Sequence, residues 1–192
     1  MNLSDEALMA AVRGGDVQQL TFLFERYQKP LFDFFGRMNG TRSGSDDMVQ
    51  DVFFRILKYR ATFRDENRFR TWMYRIARNV RSDHLRNRFG PQDPKASDAE
   101  IPRSESPGYR FEQDQDAAIL RCALGMLPDE KRELLVLVWY QEMKYQDIAD
   151  LLDIDVGAVK VRVHRAVKEL RRGFDRVSSE KTPCNVKKFK IN

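Results

Sequence analysis

The sequence predicts an all-α chain of two small helical domains joined by a flexible linker, the second carrying a helix-turn-helix. Three observations predict it. Apolar residues recur at spacings of three and four almost throughout, and no strand-like alternation lasts more than a few residues. Four of the seven prolines, Pro91, Pro94, Pro102 and Pro107, fall in one polar, acidic stretch without apolar periodicity. Near the C-terminus a short helix, a three-residue turn and a long basic helix follow one another.

The domains divide at 1–89 and 110–175, with a linker over 90–109 and a basic tail over 176–192. In the first domain, Ser4 can cap a short helix that ends at Gly14 and Gly15. Asp16 with Gln19 reads as a capping-box start. The helix that follows would turn Val17, Leu20, Phe24, Tyr27, Leu31, Phe34 and Phe35 inward, with Pro30 inside it. Ser45 opens a third helix whose Val49, Val52, Phe53, Ile56 and Leu57 share one face. Its other face is Asp46, Asp47, Gln50, Asp51, Arg55 and Lys58. A fourth helix over about 69–86 buries Phe69, Trp72, Met73, Ile76 and Val80. At 100° per residue, Arg75, Arg78, Asn79, Ser82 and Arg86 gather on its opposite side.

In the second domain, Phe111, Ala118, Ile119, Cys122 and Met126 line a helix that stops at Pro128. Pro128, Asp129 and Glu130 then open another, with acids at its positive dipole end. Apolar nearly all round through Leu134, Leu135, Leu137, Val138 and Trp139, it is expected to be central. A short helix covers 145–152, and Asp155 caps a long one reaching about residue 172. Val156, Val159, Val163, Val167 and Leu170 face its core. Ala158, Val161, Arg165, Lys168 and Arg172 face away, flanked by Lys160, Arg162 and His164.

Hydrophobic residues at 42% supply enough material for real cores, so a disordered polymer is excluded. The net charge of +5 is unevenly spread. Residues 61–90 hold 8 Lys/Arg against 3 Asp/Glu and residues 156–192 hold 11 against 3, with an acidic middle between them. Two basic blocks point to a polyanion held at two places. On the last helix, cations suit phosphates or guanine edges, and an exposed Val161 suits a thymine methyl. Cys122 and Cys184 form no CxxC pair and are expected to be ordinary thiols. No basic stretch leads an apolar run at the start, and no apolar stretch nears the ~20 residues of a membrane span. The expectation is a cytoplasmic protein without membrane insertion. Enzymatic readings are weak: His84 and His164 lack ligand spacing, no glycine-rich phosphate loop appears, and no cofactor or metal is expected.

Three motifs carry a family resemblance. The run from Leu127-Pro128 through Tyr145, Ile148-Ala149, Gly157, Val159-Lys160, Arg162, Arg165-Ala166 and Leu170 resembles the fourth domain of extracytoplasmic-function (ECF) sigma factors. Asp47-Met48-Val49-Gln50-Asp51-Val52-Phe53 resembles that family's polymerase-binding signature. Phe69-Arg70-Thr71-Trp72-Met73-Tyr74-Arg75-Ile76-Ala77-Arg78-Asn79 resembles its promoter-melting and −10-reading segment. Four positions depart from the pattern that bears on −35 reading: Ala158 where Thr is usual, Val161 for Ser or Thr, Lys144 for a Ser or Thr cap, and Asp153 for Gly. Asp147 stands for the usual Glu.

The resemblance implies a transcription initiation factor that binds core RNA polymerase through its β and β′ subunits, reads promoter DNA and promotes its melting. It also implies an anti-sigma partner. Polymerase contacts would fall to Asp47, Gln50, Asp51, Phe53 and Arg55. Contacts at −10 would fall to Phe63, Arg64, Arg68, Trp72, Arg75, Arg78, Asn79, Ser82 and Arg86, with Phe63 and Asn79 as candidates to hold a flipped base. Trp72 is open between core and melting wedge. Contacts at −35 would fall to Ala158, Lys160, Val161, Arg162, His164, Arg165 and Lys168. The rivals are a plain helix-turn-helix regulator with a sensor domain and a nuclease.

Overall fold

The computed structural model describes residues 3–64, 66, 68–89 and 115–179. The linker, Phe111 and the tail beyond Ser179 therefore lie outside the described residues. Among these residues eight α-helices follow in order: α1 (Asp5–Arg13), α2 (Leu20–Asn39), α3 (Ser45–Lys58), α4 (Phe69–Phe89), α5 (Gln115–Gly125), α6 (Asp129–Leu135), α7 (Tyr145–Leu152) and α8 (Val156–Ser179). Among the described residues there is no strand.

Local chemistry sets the element ends. The Ser4 hydroxyl accepts from the Ala7 amide at 3.2 Å, and Asp5 and Glu6 sit in the first turn of α1. Gly40 closes α2 at φ 67°, a left-handed value that glycine adopts without steric cost. Pro30 lies inside a continuous α2. Asp16 accepts from the Gln19 side chain at 2.9 Å, but the chain first makes a 3₁₀ turn over Val17–Gln19. That tighter turn takes Val17 off the stripe that α2 continues. Val17 and Phe24, expected inside, are exposed, and Leu23 takes the inward place. The Phe24 ring instead meets Phe53 edge-on at 4.9 Å.

The first core joins Leu8, Met9 and Val12 of α1 to Leu31, Phe34 and Phe35 of α2, Val52 and Ile56 of α3, and Met73, Tyr74 and Val80 of α4. Each large side chain so buried is worth about 1.5–3 kcal/mol over exposure. Phe34 packs edge-on against both Phe35 and Tyr74 at 5.4 Å. The α3 stripe and most of the α4 stripe are buried as the periodicity requires.

The second core is built on α5, α6, α7 and α8. Ala123, Leu124 and Leu127 line it from the α5 side, whereas Ala118 and Met126, expected inward, are exposed. The helix expected through Trp139 ends at Leu135. A wider π turn over Val136–Tyr140 follows, closed by the Gln141 amide on the Val136 carbonyl at 3.0 Å. The wider turn keeps Val136 and Leu137 buried, swings Trp139 and Tyr140 outward, and delivers Gln141 into the interior. On α8, Ala166 is buried and Val167 exposed, the reverse of the expectation for Val167. α8 continues to Ser179, past the point where the tail was expected to begin. Cys122 of α5 is half-buried, and Cys184 lies outside the described residues.

Candidate nucleic-acid interface

The turn between α7 and α8 is fixed by two aspartates. Asp153 ends α7 at φ 55°, the left-handed conformation for which glycine is usual, and asparagine and aspartate tolerate it best among the others. The Asp155 carboxylate accepts from the Ala158 amide at 2.8 Å and caps α8. Lys144 begins α7 without a side-chain cap. Held this way, α8 buries Val159, Val163, Ala166 and Leu170 and turns its other side to solvent. Lys160, Val161, Arg162, His164, Arg165 and Lys168 are all exposed, and Ala158 half so. Among the described residues, no ion pair ties Lys160, Arg162, Arg165 or Lys168 to an acid. The result is a row of open cations on a helix raised by a tight turn, the geometry that enters a major groove.

The basic side of α4 is placed differently. Arg68 lies 2.9 Å from Asp147, Arg78 2.8 Å from Glu133 and Arg81 2.5 Å from Asp129. Arg75 donates to the Asp150 carbonyl at 2.7 Å, and Arg70 donates to the Gln141 carbonyl. Every one of these partners belongs to the second domain. Arg64, Asn79, Ser82 and Arg86 remain exposed, Arg86 within 3.3 Å of Asp83 on its own helix. Phe63 is buried and its carbonyl accepts from Arg13, so its ring presents no face to a base in this arrangement. Trp72 is half-buried and edge-on to Phe63 at 5.4 Å, packed as part of the core.

On α3, Asp47 and Gln50 are exposed. Asp51 pairs with Arg55 at 3.1 Å, and Arg55 reaches Asp83 of α4 at 2.7 Å, which ties the two helices. Phe53 is buried, so it supports this face rather than forming it. Phe54, which the sequence reading passed over, is 64% exposed beside these polar residues. On the same helix, Asp46, Val49 and Gln50 line a shallow cleft together with Phe24, Gln28, Lys29 and Phe32 of α2. The signal was there in sequence: Phe54 lies off the apolar stripe, and a large apolar side chain left in water is what a protein partner covers.

With these faces in view, comparison with known proteins is decisive. Residues 23–88 match the family model for sigma-70 region 2, and residues 117–170 match that for sigma-70 region 4. The RNA polymerase sigma-H factor of Pseudomonas aeruginosa is 30% identical over 172 residues, covering 84% of this chain and 89% of that one. This chain belongs to the ECF sigma factors. A member of that group from Haemophilus influenzae, the ECF RNA polymerase sigma-E factor, is also 30% identical, over 85% of this chain and 92% of its own. The solved structure of CnrH in complex with the cytosolic domain of CnrY superposes with a TM-score of 0.66 at 26% identity, covering 90% of this chain and 97% of that one.

As a sigma factor, the protein directs RNA polymerase to promoters. Among its described residues no group of three His, Cys, Asp or Glu side chains could hold a metal, and no helix is long and apolar enough to cross a membrane.

The sequence reading also missed Arg132. It is buried, and it donates to the carbonyls of Leu124, Gly125 and Leu127 at 2.8–3.2 Å and to that of Met38 at 2.8 Å. It thereby satisfies the end of α5 and reaches the other domain. Its signal was a cation placed four residues after a proline-opened helix start, on a helix otherwise apolar nearly all round.

Proposed function

We propose that this sigma factor divides its work between its two helical units. The first unit, 1–89, binds core RNA polymerase and handles the −10 element; the second, 110–175, reads the −35 element, and 90–109 tethers them. In the second unit, α8 lies in the major groove. Arg162, Arg165 and Lys168 meet phosphates or guanine edges, Lys160 and His164 flank them, and Val161 with Ala158 offers apolar contact where the family usually places hydroxyls. Their replacement shifts the preferred −35 sequence toward thymine methyls.

In the first unit, Arg64, Arg68, Arg75, Arg78, Ser82 and Arg86 run along the displaced −10 strand, and Asn79 is the hydrogen-bonding group for an extruded base. Unstacking costs a few kcal/mol per step, offset by those contacts and by the polymerase. Asp47, Gln50, Asp51 and the exposed Phe54 form the polymerase contact, with Arg55 orienting Asp51. Catalysis of RNA synthesis stays with the polymerase, and the factor itself is not an enzyme. It acts in the cytoplasm, and an anti-sigma protein holds it silent until its signal arrives.

The observation that carries this reading is the open, unpaired cation row of α8 raised on the α7 turn, in a chain of this family. Run-off transcription with purified core polymerase and a genomic promoter library tests it. The expected result is initiation at a defined subset of promoters only when the protein is added. Tight DNA binding without any polymerase-dependent transcript would refute it and favour a plain helix-turn-helix regulator.

A further inference from the structure

α1 reaches the start of α4 through two side chains set two helical turns apart. Glu6 and Arg13 are seven positions apart, which at 100° per residue leaves them within about 20° of each other on one face. The Glu6 carboxylate accepts from the Phe69 amide at 3.2 Å, and the Arg13 guanidinium donates to the Phe63 carbonyl at 2.8 Å. Phe63 and Phe69 are both buried and meet edge-on at 6.3 Å, with Trp72 against each of them. One helix therefore holds both Phe63 and the first residue of α4.

The bond from Glu6 answers a local need. Phe69 opens α4, and the first amides of a helix have no partner within it. The side chain of Arg68, just before it, carries only donors and cannot serve as a cap. Glu6 supplies the acceptor from another helix, and its charge suits the positive end of the α4 dipole. α1 is itself anchored. Asp5, next to Glu6, takes Arg26 of α2 at 2.6 Å and also the Tyr27 hydroxyl. The Tyr27 ring in turn lies 5.5 Å from Phe69.

We propose that Glu6 and Arg13 are positioning residues for −10 recognition: α1 is a clasp that sets where Arg64 and the first turn of α4 meet the displaced strand. This rests on the assignment of the first unit to the −10 element. Arg64 is exposed and follows Phe63 directly, so the Arg13 bond fixes the backbone from which it projects. Telling one base from another needs groups held to within about 0.5 Å, and that precision comes from the bonds beneath them. Glu6 and Arg13 act through Phe69 and Phe63, not on the strand.

The test uses the full chain bound to core polymerase. Its probes are single-stranded oligonucleotides covering the −10 element of a promoter at which the protein initiates, each base replaced in turn. Competition binding gives the ratio of affinities between the natural strand and its worst single replacement. Glu6→Leu keeps the volume but removes the acceptor, Glu6→Gln keeps an acceptor oxygen, and Arg13→Met removes the second bond. The ratio should fall about tenfold in Glu6→Leu and in Arg13→Met, the equivalent of one hydrogen bond to a charged group. Glu6→Gln should stay within about threefold of the wild type, because its oxygen still accepts. Core polymerase pull-down and affinity for the −35 duplex should not change in any of the three.

Wild-type discrimination in either Glu6→Leu or Arg13→Met would overturn the proposal. So would a loss spread equally over polymerase, −35 duplex and −10 strand, which marks a folding defect rather than a positioning role. A wild-type holoenzyme that is active in run-off transcription yet distinguishes no base of the strand removes the −10 assignment itself, and the clasp with it. Should the leucine or methionine variant fail to fold by circular dichroism, Glu6→Asp decides. It keeps the charge but is one methylene short of the Phe69 amide, so the ratio should fall as in Glu6→Leu, and an unchanged ratio would again overturn the proposal.

Discussion

Replacing Arg132 by methionine isolates the buried cation that joins the second domain to the first. The methionine keeps the apolar stem and volume but donates nothing. In the structure the guanidinium serves four carbonyls, those of Leu124, Gly125 and Leu127 at and just past the C-terminal end of α5 and that of Met38, of which Leu124 also accepts from the Leu127 amide and Met38 from Arg81, and it also faces Asp129 at 3.3 Å. Leaving a buried acceptor unpaired costs about 1–3 kcal/mol. Water reaches part of this site once the guanidinium is gone, so the four costs do not add fully. The loss expected is about 3–5 kcal/mol, the range for breaking a buried charged contact. Against a total of roughly 5–15 kcal/mol this is severe. It corresponds to a fall in Tm of about 6–20 °C at ~2–4 °C per kcal/mol for a chain of this size. Urea denaturation followed by far-UV circular dichroism measures it, with Arg132→Lys as the control that restores charge but spans fewer carbonyls and should recover only part. A loss below about 1 kcal/mol for Arg132→Met would refute the reasoning.

Three further outcomes follow from particular residues. Asp51→Lys should weaken core polymerase binding in a pull-down while costing under about 1 kcal/mol of stability, since its pair with Arg55 is partly exposed; unchanged binding with helicity intact would remove Asp51 from that face. Arg165→Ala should lower −35 recognition by about 1–3 kcal/mol if the contact is a base edge, and competition between matched and scrambled duplexes reads it, a uniform loss meaning a phosphate contact instead. Burial pushes the Tyr74 phenol well above the tyrosine range, with the Arg70 guanidinium opposing. Its contribution is therefore intact below the unfolded value of about 10 and is lost as pH rises through and beyond it, by about 1.4 kcal/mol per pH unit. The stability slope above pH 10 should flatten in Tyr74→Phe, and an unchanged slope would clear Tyr74 of that role.

Much of the fold could be read before the structure. α7 and α8 begin where the Lys144-Tyr145 and Asp155-Val156 junctions place them, because a 3.6-residue stripe starts at each and the Asp155 carboxylate caps the second. The α3 stripe and the exposure of α8's cations were legible for the same reason. What could not be read depends on contacts far apart in sequence. The α4 arginines formed a clean basic face on a helical projection, yet Arg68 meets Asp147 and Arg78 meets Glu133. Periodicity reports which side is polar but not whether solvent, nucleic acid or another domain covers it. Locally, the 3₁₀ turn before Leu20 left Val17 outside, and the π turn at Val136 moved Trp139 outward, against a pattern read at constant pitch.

Permanganate footprinting of a promoter bound by core polymerase and this protein tests the account most directly, because it reports unpaired thymines base by base. With the wild-type chain, reactive thymines should appear at the −10 element. They should vanish in an Arg75→Ala, Arg86→Ala double variant that still binds polymerase, while protection at −35 persists until Arg165 is also removed. Thymines that stay reactive in the double variant, or that open with core polymerase alone, would contradict the division of promoter reading between α4 and α8.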